Sequence, residues 1–209
     1  MSATEIALLV VLLLVFLAAG SIVWSTLVAG ISPMPSSRAA RDAMLPLLDK
    51  AVAFQCSFER SETAPDNGEI VELGTGWGNL LIVLARRYPQ YQIIGYEISW
   101  LPWLVSLLLV RLYRLNNVQV LRKNFLKQDL TKAPVLVCYL YPGAMQAISD
   151  KLQEEQGGKS SASGEQFLIS NNFALPGLQP EETVKSKDFY QSPVYLYRLG
   201  QQDQLEAEA

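Results

Sequence analysis

The sequence predicts an α/β domain on a mostly parallel sheet that ends in an antiparallel hairpin, preceded by one N-terminal transmembrane helix. Three observations carry this. From Glu69 to Asn172, short apolar runs rich in Val, Ile and Tyr alternate with helix-spaced segments, the pattern of parallel strands covered on both faces. The alternation stops at two strand-like runs, 182–190 and 193–199, separated only by Gln191 and Ser192; adjacent strands with no crossover between them must be antiparallel. Finally, Ile6 to Ile31 is apolar and no charged residue occurs from Ile6 through Ser37, whereas a bilayer needs about 20 such residues.

Taken in order, residues 1–31 read as a retained signal anchor. The apolar stretch is longer than the core of a cleaved signal peptide, and Glu5 stands where such a peptide carries positive charge. Arg38 and Arg41 follow the stretch and no Lys or Arg precedes it. The positive-inside rule then predicts a single-pass inner (cytoplasmic) membrane protein with its catalytic domain in the cytoplasm. Residues 32–54 form a linker and leading helix: Pro33 and Pro35 break the helix leaving the membrane, Ser36 or Ser37 caps a helix over 37–54, and Pro46 is expected to end or kink it. "SETAPDNG" at 61–68 is turn chemistry.

The domain proper, 55–200, then reads strand 69–75, helix 79–87, strand 91–98, helix 102–115, strands 117–124 and 134–140, helix 144–156, strand 166–172 and the hairpin. Gln156 to Gln166 is loop by composition, and 201–209 is an acidic tail. "ISWLPWLVSLLLV" (Ile98 to Val110) is uncharged but too short to span a bilayer, so it reads as a buried helix of the outer layer, with an interfacial helix as the alternative. Arg111, Arg114, Arg122, Lys123, Lys127 and Lys132 follow it with only Asp129 against them. They form a solvated face or a surface held against anionic lipid.

Composition excludes several chemistries. The formal charge of −3 gives no basic footprint for nucleic acid. There is no histidine, which removes Ser/His/Asp hydrolysis and His-ligated zinc, and no metal site is expected. Cys56 and Cys138 have no partner at metal-ligand spacing and read as ordinary buried thiols in a reducing compartment.

The chemistry-bearing motif is "VELGTGWGNLL", Val71 to Leu81, at the first strand-to-helix turn. A phosphate-binding P-loop requires Lys then Ser or Thr where Asn79 and Leu80 stand, so that option fails. The G-x-G-x-x-G dinucleotide pattern is weakened, because the third glycine comes one place early. What remains is Glu72 before the glycines and Glu97 at the end of the next strand. A strand-end carboxylate accepts hydrogen bonds from both ribose hydroxyls, and a second one suits a cationic ligand.

That combination, with the terminal hairpin, resembles the class I, Rossmann-like methyltransferases that use S-adenosyl-L-methionine. "PSSRAARDAML", "GYEIS", "PWLV" and the apolar anchor together are similar to the lysine methyltransferases of the ATP synthase c subunit and the adenine nucleotide translocase, and to their bacterial relatives. Trp77 stands where that family usually carries an acidic residue. The resemblance implies S-adenosyl-L-methionine as cofactor, with Glu72 and the loop Gly74, Thr75, Gly76 and Gly78 at its methionine part, Glu97 at the ribose, and Asn124 and Phe125 beside the adenine. It places Tyr139 to Pro142 at the transferred methyl, with Tyr139 and Tyr141 as catalytic candidates whose other reading is core or rim aromatics. "SNNF" (Ser170 to Phe173), at the end of another strand, reads as reaching the substrate or as turn chemistry. The expected activity is protein-lysine N-methylation of a membrane or membrane-associated protein at a lipid bilayer, with no nucleic acid partner. A small, lipid-soluble, quinone-like substrate and a non-catalytic cofactor-binding module are the alternatives.

Overall fold

The computed structural model describes residues 2–29, 37–58, 68–157 and 165–199. The expected linker 32–36, most of the turn 61–68, most of the loop 156–166 and the acidic tail lie outside the described residues. The elements are α1 (Ala3–Ala29), α2 (Arg38–Phe58), β1 (Glu69–Leu73), α3 (Asn79–Arg87), β2 (Gln92–Tyr96), α4 (Trp100–Leu112), β3 (Val118–Leu121), β4 (Val135–Cys138), α5 (Pro142–Gly157), β5 (Gln166–Asn171), β6 (Glu182–Lys185) and β7 (Pro193–Leu199).

The seven strands form one sheet of order β3-β2-β1-β4-β5-β7-β6. The first five are parallel, while β7 runs antiparallel to both β5 and β6. This is a Rossmann-like α/β fold with C-terminal antiparallel strands. The order reverses between β1 and β4, and in such sheets ligands bind outside the carboxyl ends of the strands at that reversal.

Alternation within the strands splits the core in two. Ile70 of β1, Ile93 of β2, Val135 and Val137 of β4, Phe167 and Ile169 of β5 and Val194 and Leu196 of β7 meet α2, α3 and Val110 of α4 on one face. Val71, Leu73, Leu136, Cys138, Leu168 and Tyr197 meet Met145, Ile148 and Leu152 of α5 on the other. Glu72 therefore shares the first face, two residues on from Ile70.

Pro46, expected to end or kink α2, does not end it: the helix runs on to Phe58. Ser37 caps it, its Oγ accepting from the Ala40 amide at 3.0 Å. A proline inside a helix costs about 3 kcal/mol, but Met44, Leu47 and Leu48 are fully buried against the sheet. Burial at about 1.5–3 kcal/mol per large side chain outweighs that cost. Asp49 reaches across to α3, accepting from Arg87 Nε at 2.9 Å and the Tyr88 hydroxyl at 2.7 Å.

The hairpin also differs: β6 ends at Lys185, so the connection to β7 is 186–192 rather than Gln191 and Ser192 alone. The turn is closed by its own polar groups, the Ser192 amide donating to Asp188 Oδ1 at 3.1 Å and the Ser186 amide to the Ser192 carbonyl at 2.9 Å. Cys56, expected to be buried, is exposed, because the sheet-facing stripe of α2 is filled by Met44, Leu48, Ala51, Val52 and Gln55. Cys138 is buried, which pushes its thiol up to about 12.

The apolar N-terminal segment is helical, α1 spanning 27 residues. Among the described residues no helix is long and apolar enough to cross a membrane. Several side chains within α1, among them those at positions 14, 18, 21 and 22, are not described.

Candidate active site

The strand β1 ends at Leu73 and the chain turns at once through three left-handed glycines, Gly74 (φ 78°), Gly76 (φ 55°) and Gly78 (φ 79°). Only glycine occupies that region without strain. Two backbone amides, Gly74 at 3.0 Å and Thr75 at 2.9 Å, donate to the Tyr96 carbonyl of β2. The Thr75 hydroxyl joins them at 3.2 Å, so this side chain fastens the loop to the sheet. Gly78 ends the turn and α3 starts at Asn79.

Glu97 sits one residue past β2, buried at 7 % exposure. Its Oε2 accepts from the Gly76 amide at 2.8 Å and its Oε1 from the Ser99 amide at 2.7 Å. Each oxygen keeps a second lone-pair direction, so the carboxylate is locked in place while still able to accept two further hydrogen bonds. Ribose hydroxyls require such a pair of acceptors.

Glu72 is the opposite case. It is buried, and its Oε2 has no hydrogen-bond partner. Burial holds its carboxyl well above the usual range, and the nearby charge of Glu97 pushes it further up. An ionised carboxylate here lacks a partner, and a cation brought into the turn would supply one.

The other loops at this edge come from β3, β4 and β5. Asn124 precedes a single 3-10 turn, Phe125–Lys127, and its side chain caps it, Oδ1 accepting from the Leu126 amide at 2.9 Å. Phe125 is half-buried against the α5-side core. Tyr139 and Tyr141 follow β4 and are both half-buried, with Leu140 between them packed so close to Gly74 that a Cβ there would lie 2.7 Å from Leu140 Cδ2. The tyrosine loop therefore lies directly against the glycine turn. Asn171 ends β5, 2 % exposed, with Oδ1 unpartnered, and Asn172 takes a left-handed φ of 70°.

The model of the ANTKMT methyltransferase domain family matches residues 72–182, more than half of the chain, from Glu72 to the first residue of β6. The chain belongs to this family. It is an S-adenosylmethionine-dependent methyltransferase of class I. A protein-lysine N-methyltransferase of Saccharolobus islandicus is 23% identical over 134 residues, 63% of this chain and 80% of the relative. The fold is shared with an RNA methyltransferase of Salinibacter ruber solved with S-adenosyl-L-homocysteine, at a TM-score of 0.62 and 20% identity, over 81% of this chain and 95% of that one.

In this methyltransferase the residues present fit the cofactor on the chain's own chemistry. The orphaned Glu72 oxygen suits an ammonium, the fixed Glu97 suits a diol, and Gly76, where a Cβ would meet nothing within 4 Å, leaves its backbone open to close approach by a ligand. Among the described residues no group of His, Cys, Asp and Glu is arranged to hold a metal ion.

Sequence reasoning missed Ser106. This residue of α4 is fully buried and its Oγ donates to the Gly76 carbonyl at 2.8 Å. A Cβ on Gly78 would meet Ser106 Oγ at 2.9 Å and its Cα at 3.1 Å. α4 thus braces the turn from behind, and Gly78 is required twice, for its φ and for this approach. The available signal was one small hydroxyl amid the apolar residues from Trp100 to Val110. Also missed was Asn117, whose amide donates to the carbonyls of Ala85, Tyr88 and Tyr91 at 3.1–3.2 Å and ties the end of α3 to β2.

Proposed function

We propose that the chain methylates a lysine of a membrane or membrane-associated protein. The observation that carries the cofactor assignment is the pair of carboxylates, Glu97 held by two backbone amides and Glu72 left without a partner on one oxygen. Glu72 and the turn Gly74 to Gly78 take the methionine end, Glu97 the ribose, and Asn124 and Phe125 flank the adenine. The lysine assignment draws support from the family and from the relative's name.

S-adenosylmethionine, when bound, supplies a methyl electrophile on a sulfonium. The protein's part is to present an uncharged amine in line and exclude water. An amine of pKa about 10.4 must first lose a proton, which costs about 4 kcal/mol near neutral pH. A half-buried aromatic surface lowers that cost by disfavouring the ammonium. Tyr139 and Tyr141 provide such a surface beside the glycine turn, and their hydroxyls can orient the amine.

The apolar N-terminal helix supports anchoring. No charged residue occurs from Ile6 through Ser37. Leu8, Val11, Leu13, Phe16 and Leu17 are all exposed. With Arg38 and Arg41 behind it, the anchor places the domain on the cytoplasmic side of the inner membrane.

Two measurements test this reading. Calorimetry on Glu97→Ala should show cofactor affinity reduced about 100-fold, since two charge-assisted hydrogen bonds are lost at roughly 1.5 kcal/mol or more each; unchanged affinity removes the site assignment. Membranes incubated with methyl-labelled cofactor and extracted with solvent should keep the label in protein. Label in the lipid extract would assign a small lipid-soluble substrate instead.

A further inference from the structure

We propose that α4 lies in the surface of an anionic bilayer, presenting Trp100, Leu104, Leu108 and Leu112 to lipid. These four residues recur every fourth position and so form one stripe along the helix. Each is a large apolar side chain between 43 and 70 % exposed. The opposite stripe, Pro102, Ser106 and Val110, is buried against the domain. A helix that covers a sheet ordinarily turns a polar face outward, whereas one apolar on both faces meets a second apolar phase. From Ile98 to Val110 there is no charged residue at all.

The surroundings select lipid as that phase. Exposed basic residues stand at both ends of the stripe. Arg111 and Arg114 lie at the C-terminal end of α4, and Arg122 and Lys123 follow β3, beside the end where α4 begins. Arg86 of α3 lies over the Tyr113 ring at 4.8 Å, adding a further cation beside the stripe. Trp100 packs against Trp103 at 5.4 Å at one end and Tyr113 is exposed at the other. An apolar helix face with aromatic ends and a basic rim matches an interface with acyl chains below and anionic headgroups around. α1 packs against α4, so the surface continues the helix assigned above to the bilayer.

This inference builds on the proposed anchor and adds a purpose to it. α4 begins three residues after Glu97, so laying it on the membrane brings the mouth of the site to the headgroup level, where lysines flanking a membrane span are found.

The test uses the full chain carrying Cys56→Ser, with an environment-sensitive fluorophore on Leu108→Cys or, for comparison, on Gln146→Cys, an exposed position of α5. The protein is reconstituted with vesicles of phosphatidylcholine and phosphatidylglycerol carrying acyl-chain nitroxides. The probe at 108 should shift to the blue and be quenched, while that at 146 should remain water-like. Chain that floats with the vesicles but keeps 108 water-like overturns the docking of α4 and leaves the anchor standing. A blue shift without nitroxide quenching assigns the face to a second protein copy and also overturns it. Chain that does not float with the vesicles overturns both readings.

Discussion

The two sides of the crevice between β1 and β4 are built differently. On the β2 side, positions are set by backbone groups: three left-handed glycines, two amides on the Tyr96 carbonyl and two amides on Glu97. On the β5 side, the edge is furnished by the side chains of Tyr139, Tyr141 and Asn171, the tyrosines half-buried and the asparagine's Oδ1 unpartnered. A side shaped by backbone is fixed before any ligand arrives, so changing it disturbs folding and cofactor binding together. A side shaped by side chains can vary with substrate, so changing it should act on turnover alone.

The sharpest way to break this contrast is Gly78→Val. The left-handed φ costs about 1–2 kcal/mol and the overlap with Ser106 about 1–3 more. Urea unfolding should show about 2–5 kcal/mol of lost stability, with cofactor binding lost in parallel; a folded variant of normal affinity would show that the turn is not set by its backbone. Glu72→Gln comes next. It removes the charge but keeps the shape, and calorimetry should register about a tenfold weaker affinity, one lost charge contribution of about 1.4 kcal/mol.

Glu72 also has a pH signature. Its folded carboxyl is raised, so the cofactor-free fold holds a proton that the unfolded chain releases. That contribution to stability is complete below the ordinary glutamate range and is lost as pH rises toward the raised value. The stability of the cofactor-free wild type against unfolding should therefore fall from about pH 5 upward, and the Gln variant should lack this slope. The smallest effect is expected at the other side. Tyr139→Phe and Tyr141→Phe should each lower kcat by about tenfold, less than the roughly 100-fold or more of a positioned acid–base group because these hydroxyls orient the amine, with cofactor affinity unchanged. A loss of cofactor affinity there would erase the contrast between the two sides.

Much of this was legible where chemistry is local. The turn from Gly74 to Gly78 and the helix 79–87 could be read because the glycine run ends at Gly78 and helix-spaced apolar residues follow at once. Glu72 and Glu97 were legible as carboxylates at strand ends, but not in their difference, which arises from which amides reach them. Pro46 does not end α2 because the burial of Met44, Leu47 and Leu48 outweighs a local penalty. Ser106 stood out only as a hydroxyl in an apolar run, and its role could not be read because its partner lies 30 positions away, across a helix packing that periodicity does not register. The hairpin was recognised, yet its turn was placed late because Phe189 and Tyr190 have strand-like composition while standing exposed at 95 and 84 %.

The placement of β7 bears on how the chain is made. β7 follows β6 in sequence but lies between β5 and β6 in the sheet. During synthesis β5 must wait with an open edge until residues 193–199 have cleared the ribosome, and β6 has no place to pair before then. A nascent chain halted after Lys185 would expose the unsatisfied amides and carbonyls of β5, a template for association with neighbouring chains. The cell's chaperones thus have a defined interval, the emergence of these residues, during which this sheet is vulnerable.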